Sequence, residues 1–118
     1  MLVNCVAYQR GAKLSDIPIG EIRAHLGRPE CFVWVALKDA EASELAALQD
    51  EFGLHELAIE DAQKGHQRPK MDEYGAALFV VLQIIEPAEH ELATGEVAIF
   101  VGANYVVSVR REIGRAHV

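Results

Sequence analysis

Apolar residues along this chain switch between two spacings, and the switches mark out strands and helices. Residues 2–8 form a short, largely apolar run that predicts a first strand. Ile19, Ile22 and Leu26 then fall at i, i+3 and i+7, the spacing of a short amphipathic helix that ends near Gly27, with Pro29 just beyond. Residues 32–37 (Phe-Val-Trp-Val-Ala-Leu) are continuously apolar and rich in β-formers, which predicts a strand covered on both faces. A strand, a helix and a strand of these lengths predict a parallel pair with a right-handed crossover.

The next helix is the clearest. Asp39 is placed to cap it, Glu41 and Glu44 occupy its first turn, and Leu45, Leu48 and Phe52 make its apolar stripe. Gly53 supplies the left-handed residue that closes it, and Leu54 the hydrophobic contact that accompanies such a close. A shorter helix over residues 56–63 ends at Gly65, and Pro69 keeps the following loop extended. Residues 74–85 are apolar at both alternate sets of positions, so they predict one long central strand with helices on at least one side. Residues 86–95 read as a polar loop, 96–101 as a strand, 102–104 as a tight turn, and 105–110 as the antiparallel return. Beyond Arg111 the pattern dissolves. The fold class expected is α/β: a mixed parallel and antiparallel sheet with helices packed on it, without repeats or low-complexity linkers.

Length and composition narrow the picture. The chain's 118 residues suit one domain, 1–118, and 51% hydrophobic residues with a mean hydropathy of +0.09 suit a packed core. A net charge of −7 argues against nucleic acid as a partner, because phosphate binding needs clustered Lys and Arg; it suits cations. Cys5 and Cys31 lie inside apolar runs and are expected to be buried, reduced thiols. The start of the chain lacks the features of a signal peptide, and the longest apolar run, residues 76–82, is too short to cross a bilayer. As it stands, the chain reads as soluble.

Most chemistries find little support. Ser15, Ser43 and Ser108 lack a G-x-S-x-G context, neither cysteine lies in an activating motif, and no glycine-rich phosphate loop occurs. His55 and His66 stand eleven apart, a poor spacing for structural zinc, and His25, His90 and His117 are scattered. What remains is acidic. Glu60 and Asp61 lie near the end of the short helix, where the partial negative charge of the helix C-terminus disfavours them. Glu56 and Glu60 share a face at i, i+4. Hard divalent cations such as magnesium take oxygen ligands and keep several waters, so one or two carboxylates can be the protein's whole share. The plain alternative is a solvated acidic face balanced by Lys64, Arg68 and Lys70. A hydrolase built on Glu60 and Asp61 fits poorly, since adjacent helical residues point in different directions.

The run Gly53-Leu54-His55-Glu56-Leu57-Ala58-Ile59-Glu60-Asp61-Ala62, then His66-Gln67-Arg68-Pro69-Lys70, then Tyr74 and Leu78-Phe79-Val80-Val81-Leu82, strongly resembles the CorA family of magnesium and cobalt transport proteins. The family's cytoplasmic N-terminal domain carries G-L-H-P-L-x-x-E-D, H-Q-R-P-K and Y-x-x-x-L-F-V-V-L in this order. Phe32-Val33-Trp34-Val35 matches its tryptophan strand, and the hairpin from Phe100 to Arg110 matches its last β-turn. The resemblance covers roughly residues 32–110.

That resemblance implies a cytoplasmic, metal-sensing regulatory domain of a homopentameric channel, on the inner face of the cell membrane and not an enzyme. In the family, divalent cations bound between subunits favour the closed state. The aspartate of the E-D pair is one ligand and corresponds to Asp61; Glu60 is the second candidate. The cation implied is magnesium, with cobalt or zinc (a related zinc-transporting branch shares the fold) as alternatives. A stand-alone interaction module is the contrasting reading. The family's long helix with the partner carboxylate, its pore helices and its G-M-N signature are missing from this sequence, so contact with the membrane would come only through an absent C-terminal part. Three positions depart from the pattern without touching Asp61. Glu56 replaces a proline, Ala36 an Asp or Asn, and Gly75 a polar residue in what reads as mid-strand.

Overall fold

A computed structural model describes residues 1–117 apart from 66, with backbone only at 88 and 113–117. The first strand, β1 (Leu2–Gln9), turns back at once. Arg10 and Gly11 both take positive φ (52° and 81°), the two-residue geometry that matches the twist of paired strands, and β2 (Ala12–Asp16) returns antiparallel. The sequence reading missed β2 because it is an edge strand with every residue exposed, so no alternation marks it.

A 3-10 turn (Ile19–Glu21) runs into α1 (Ile22–Leu26), which sinks Ile22 into the core. The next strand, β3 (Cys31–Lys38), pairs with β1 antiparallel, not parallel as the spacing suggested. The reason is the hairpin. The helix carries the chain from β2 to β3, and these two strands do run the same way, on either side of β1. The crossover is real, but it starts one strand later.

β3 buries Cys31, Val33, Val35 and Leu37 on one face and leaves Phe32, Trp34 and Ala36 partly open on the other, so it is covered on one side only. After β3 comes α2 (Ala42–Phe52), whose Leu45 and Leu48 are fully buried and whose end is closed by Gly53 at φ 70°, ψ 38°. Its cap is Glu41, not Asp39: the Glu44 carboxylate accepts from the Glu41 N–H at 3.0 Å, while the Asp39 N–H donates to the Arg110 carbonyl at 2.8 Å. Then α3 (Glu56–Lys64) buries Ala58, Ile59 and Ala62 and is capped by His55, whose Nδ1 accepts from the Leu57 N–H at 3.1 Å.

The rest of the chain is a meander. β4 (Lys70–Tyr74) is an edge strand, and a turn at residues 75–76, with Gly75 at φ 64°, separates it from β5 (Ala77–Ala88). The single strand expected over residues 74–85 is therefore two, and Gly75 is the hinge of a hairpin rather than a weak point in a strand. β6 (Glu91–Val101) and β7 (Tyr105–His117) complete it. The expected loop at 86–95 is ladder instead, since Glu86, Pro87 and Ala88 pair with Ala93, Leu92 and Glu91. It reads as a loop because this end of the ribbon carries exposed polar residues.

The sheet order is β2-β1-β3-β7-β6-β5-β4, and among the described residues only the neighbours β3 and β7, matched from Val33–Tyr105 to Lys38–Arg110, pair in parallel. Mixed α/β is thus the fold, with a core of Ile22, Leu45, Leu48, Val33, Val35, Phe79, Val81, Phe100 and Val107. Each such side chain contributes about 1.5–3 kcal/mol on leaving water. Among the described residues no helix is long and apolar enough to cross a membrane.

Both cysteines are buried free thiols, as expected. Burial, aided by the negative charge of Asp16, pushes the Cys5 thiol up to about 11 from 9.0. The folded state therefore holds this proton more tightly than the unfolded one, a stabilisation complete below pH 9 and lost as pH climbs through about 11. At pH 8 an aromatic disulfide reagent is expected to modify Cys5 roughly a hundredfold more slowly in the native protein than in urea, from thiolate fraction alone.

Candidate functional site

Helix α3 lays Ala58, Ile59 and Ala62 on the sheet, and that placement turns Glu60 and Asp61 outward in different directions. Glu60 meets Lys64 one turn on at 2.8 Å, an exposed i, i+4 pair of the ordinary helix kind; the hydrogen bond to Glu60 raises the Lys64 ammonium above its usual range. Asp61 faces the β4 edge instead. There the Lys70 ammonium donates to Asp61 Oδ2 at 2.6 Å and stands 3.1 Å from Asp72 Oδ2. Lys70 and Asp72 share a face of β4 because strand side chains alternate, whereas Met71 between them points to solvent. The ammonium also lies 5.8 Å from the centre of the Phe79 ring, within reach of its negative face.

These three side chains are half-sheltered, at 25% exposure for Asp61, 31% for Lys70 and 38% for Asp72. The hydrogen bond to Asp61 raises the Lys70 ammonium, burial opposes the shift, and Asp72 adds to it. Lys70 is thus firmly charged at neutral pH.

A second cluster, which the sequence reading did not find, holds this corner in place. Glu96 is 5% exposed, and its Oε1 accepts from the Gln67 N–H at 2.6 Å, pinning the loop that leads to Lys70. Arg111, opposite Glu96 on β7, donates to the Ala62 carbonyl at 2.8 Å, in the last turn of α3. Gly65 passes so close that a Cβ there would lie 2.8 Å from Arg111 Cδ. The clue in the sequence was phase: Glu96 falls in step with Ala98 and Phe100, the buried set of its strand.

The expected acids are therefore only partly brought together. Asp61 gains Asp72 across a shared lysine, Glu60 turns to Lys64, and Glu56 takes no part. Among the described residues no group of three or more His, Cys, Asp or Glu side chains is arranged to hold a metal. His66 lies outside the described residues. His55 stacks on Tyr74 with ring centres 4.1 Å apart, lining a cleft of about 130 Å³ with Leu54, Phe79 and Phe100. The donors at the Asp61 corner are carboxylate oxygens, the set a hard cation takes, and a cationic nitrogen already stands between two of them.

Fold and corner together define the class: an α/β domain with helices on one side of a mixed sheet and a carboxylate pair neutralised by lysine. Known proteins make it specific. The family described as CorA-like Mg2+ transporter protein matches residues 29–116, and the chain belongs to it. YfjQ of Bacillus subtilis (strain 168), assigned to metal ion transport, is 38% identical over 96 residues, 80% of this chain and 28% of that protein. The cobalt/magnesium transport protein CorA of Thermotoga maritima is 29% identical over 84 residues, 69% and 24% of the two chains. Among solved structures, full-length CmaX has a TM-score of 0.71 at 26% identity, across 93% of this chain and 35% of that one. The soluble domain of CorA from Methanocaldococcus jannaschii has a TM-score of 0.62 at 14% identity, across 93% and 41%, and supports the fold alone. This chain spans about a quarter of the length of the relatives it matches.

Proposed function

We propose that this chain is the cytoplasmic, metal-sensing domain of a longer CorA-like divalent cation transporter, and not an enzyme. In this reading 1–118 form the N-terminal domain, several copies assemble as the family resemblance implies (a pentamer), and the membrane-spanning part lies elsewhere in the full protein. A cation bound between Asp61 of one copy and a carboxylate of its neighbour stabilises one arrangement of subunits, and its loss lets them move. Glu60 is the weaker second ligand. The observation that carries the reading is the family match over residues 29–116; Asp61, which the resemblance makes the aspartate of the family's E-D pair, is half-sheltered and faces outward. Carboxylate donors favour magnesium over zinc, which prefers nitrogen and sulfur ligands.

One observation favours a second reading, a surface with no metal role: both acids are already paired with lysines. The two part cleanly in a titration. Magnesium or cobalt added to the protein is expected to bind with a Kd of roughly millimolar order, as for a site with few protein oxygens, and to raise its melting temperature slightly. Asp61→Ala is expected to lose most of both effects. An identical response in the two proteins removes Asp61 from the site.

A further inference from the structure

We infer that Lys70 is a tethered competitor for the cation at Asp61, an internal ammonium that a divalent ion must displace to bind. This rests on the reading of Asp61 as a cation ligand and adds what sets the affinity of that site. The competition is steric and electrostatic. Lys70 Nζ lies 2.6 Å from Asp61 Oδ2 and 3.1 Å from Asp72 Oδ2, so the two carboxylate oxygens are separated by no more than the sum of those lengths. A cation taking Asp61 Oδ2 from that side enters the space the ammonium fills, and a charged ammonium has no lone pair to offer a metal.

Displacement is mechanically easy and energetically opposed. Lys70 ends in a compact charge on a flexible four-carbon stem, so it can swing away without moving β4. Its stem starts from an ordered strand, which keeps the ammonium at high effective concentration beside Asp61. The Phe79 ring at 5.8 Å adds a further attraction that holds it there. Magnesium in water gives up little of its hydration for one carboxylate, so a resident ion pair is a real rival. Lys70 then sets the concentration at which the site responds: it keeps Asp61 neutralised at low divalent concentration and yields as the ion becomes abundant.

The test measures magnesium chloride binding by calorimetry, at fixed ionic strength, to the wild-type chain and to Lys70→Met, Lys70→Arg, Asp61→Asn and the Asp61→Asn/Lys70→Met pair. Methionine keeps an apolar stem near Phe79 and removes the charge; Lys70→Gln is a second charge-free variant should the first fold poorly. The expected result is about fivefold tighter binding without the charge, the upper end for a partly exposed ion pair. Lys70→Arg stays near wild type, and the gain disappears in the double variant. In the wild-type protein, magnesium is also expected to shift the Lys70 ζ-ammonium resonance in proton–nitrogen spectra, a release that a merely structural lysine would not show. Unchanged affinity in the charge-free variants, with binding still lost in Asp61→Asn, overturns the competition and leaves the proposed function standing. Binding that ignores Asp61 in every variant overturns both.

Discussion

Phe79→Ala is expected to destabilise the domain by about 3–5 kcal/mol, the range for deleting a fully buried aromatic ring. Phe79 is 1% exposed and is the largest of the fully buried side chains. Its ring lies 4.9 Å from that of Phe100 across the β5–β6 pair, and it is in register with Asp72 on β4. Removing it opens a void beneath the helix that carries Asp61 and takes away the aromatic face beside Lys70. Urea denaturation followed by circular dichroism measures the loss. Phe79→Leu, which refills most of the space, is expected to keep most of the stability. A loss below 1 kcal/mol for the alanine variant would show that this part of the core is not packed as described.

Gly65→Ala is the second large effect, expected at about 3 kcal/mol. Gly65 sits at φ 66°, ψ −171°, a region that only glycine occupies cheaply, and forcing a side chain into it costs about 1–3 kcal/mol. Steric crowding adds to this, since the new Cβ would stand 2.8 Å from Arg111 Cδ and 3.1 Å from its Nε. Arg111 must then retreat, and the Ala62 carbonyl loses its donor. Gly75→Ala is the control: its φ of 64° is also positive, but nothing lies within 4 Å of its added Cβ. The same denaturation curves should rank Gly65→Ala well below Gly75→Ala in stability. Equal losses would mean that the approach of Arg111 does not matter.

How much of this was legible from the residues follows from where the information sits. The helices over 42–52 and 56–64 were readable because stripe, glycine stop and acidic start all agree locally. The 102–104 turn was readable for the same reason. β2 was not, because an edge strand buries nothing. The β1–β3 direction was wrong for that reason alone, one unseen hairpin having reversed it. The ribbon over 86–95 failed differently, as hydrogen-bonded pairing leaves no hydrophobic trace where both faces meet water. At the site, Glu60 and Asp61 stood out as acids near a helix end. Which acid meets which lysine did not, since Asp61, Lys70 and Asp72 come together only when α3 and β4 dock. Glu96 and Arg111 were hidden because buried polar residues within a strand look, residue by residue, like exposed ones.

The parallel pairing of β3 with β7 has a consequence for how the chain is made. Residues 33–38 leave the ribosome long before residues 105–110, and until the latter arrive β3 has a partner on one edge only. Closing that ladder spans some seventy residues, the kind of distant contact that slows folding and prolongs exposure of sticky strands. The hairpins at 10–11, 75–76, 89–90 and 102–104 can form as they emerge, each from neighbours in sequence. What must wait is the seam at the middle of the sheet. A nascent chain stalled before Tyr105 would hold two half-sheets that could each pair with the wrong molecule, and the last strand is what closes them against strangers.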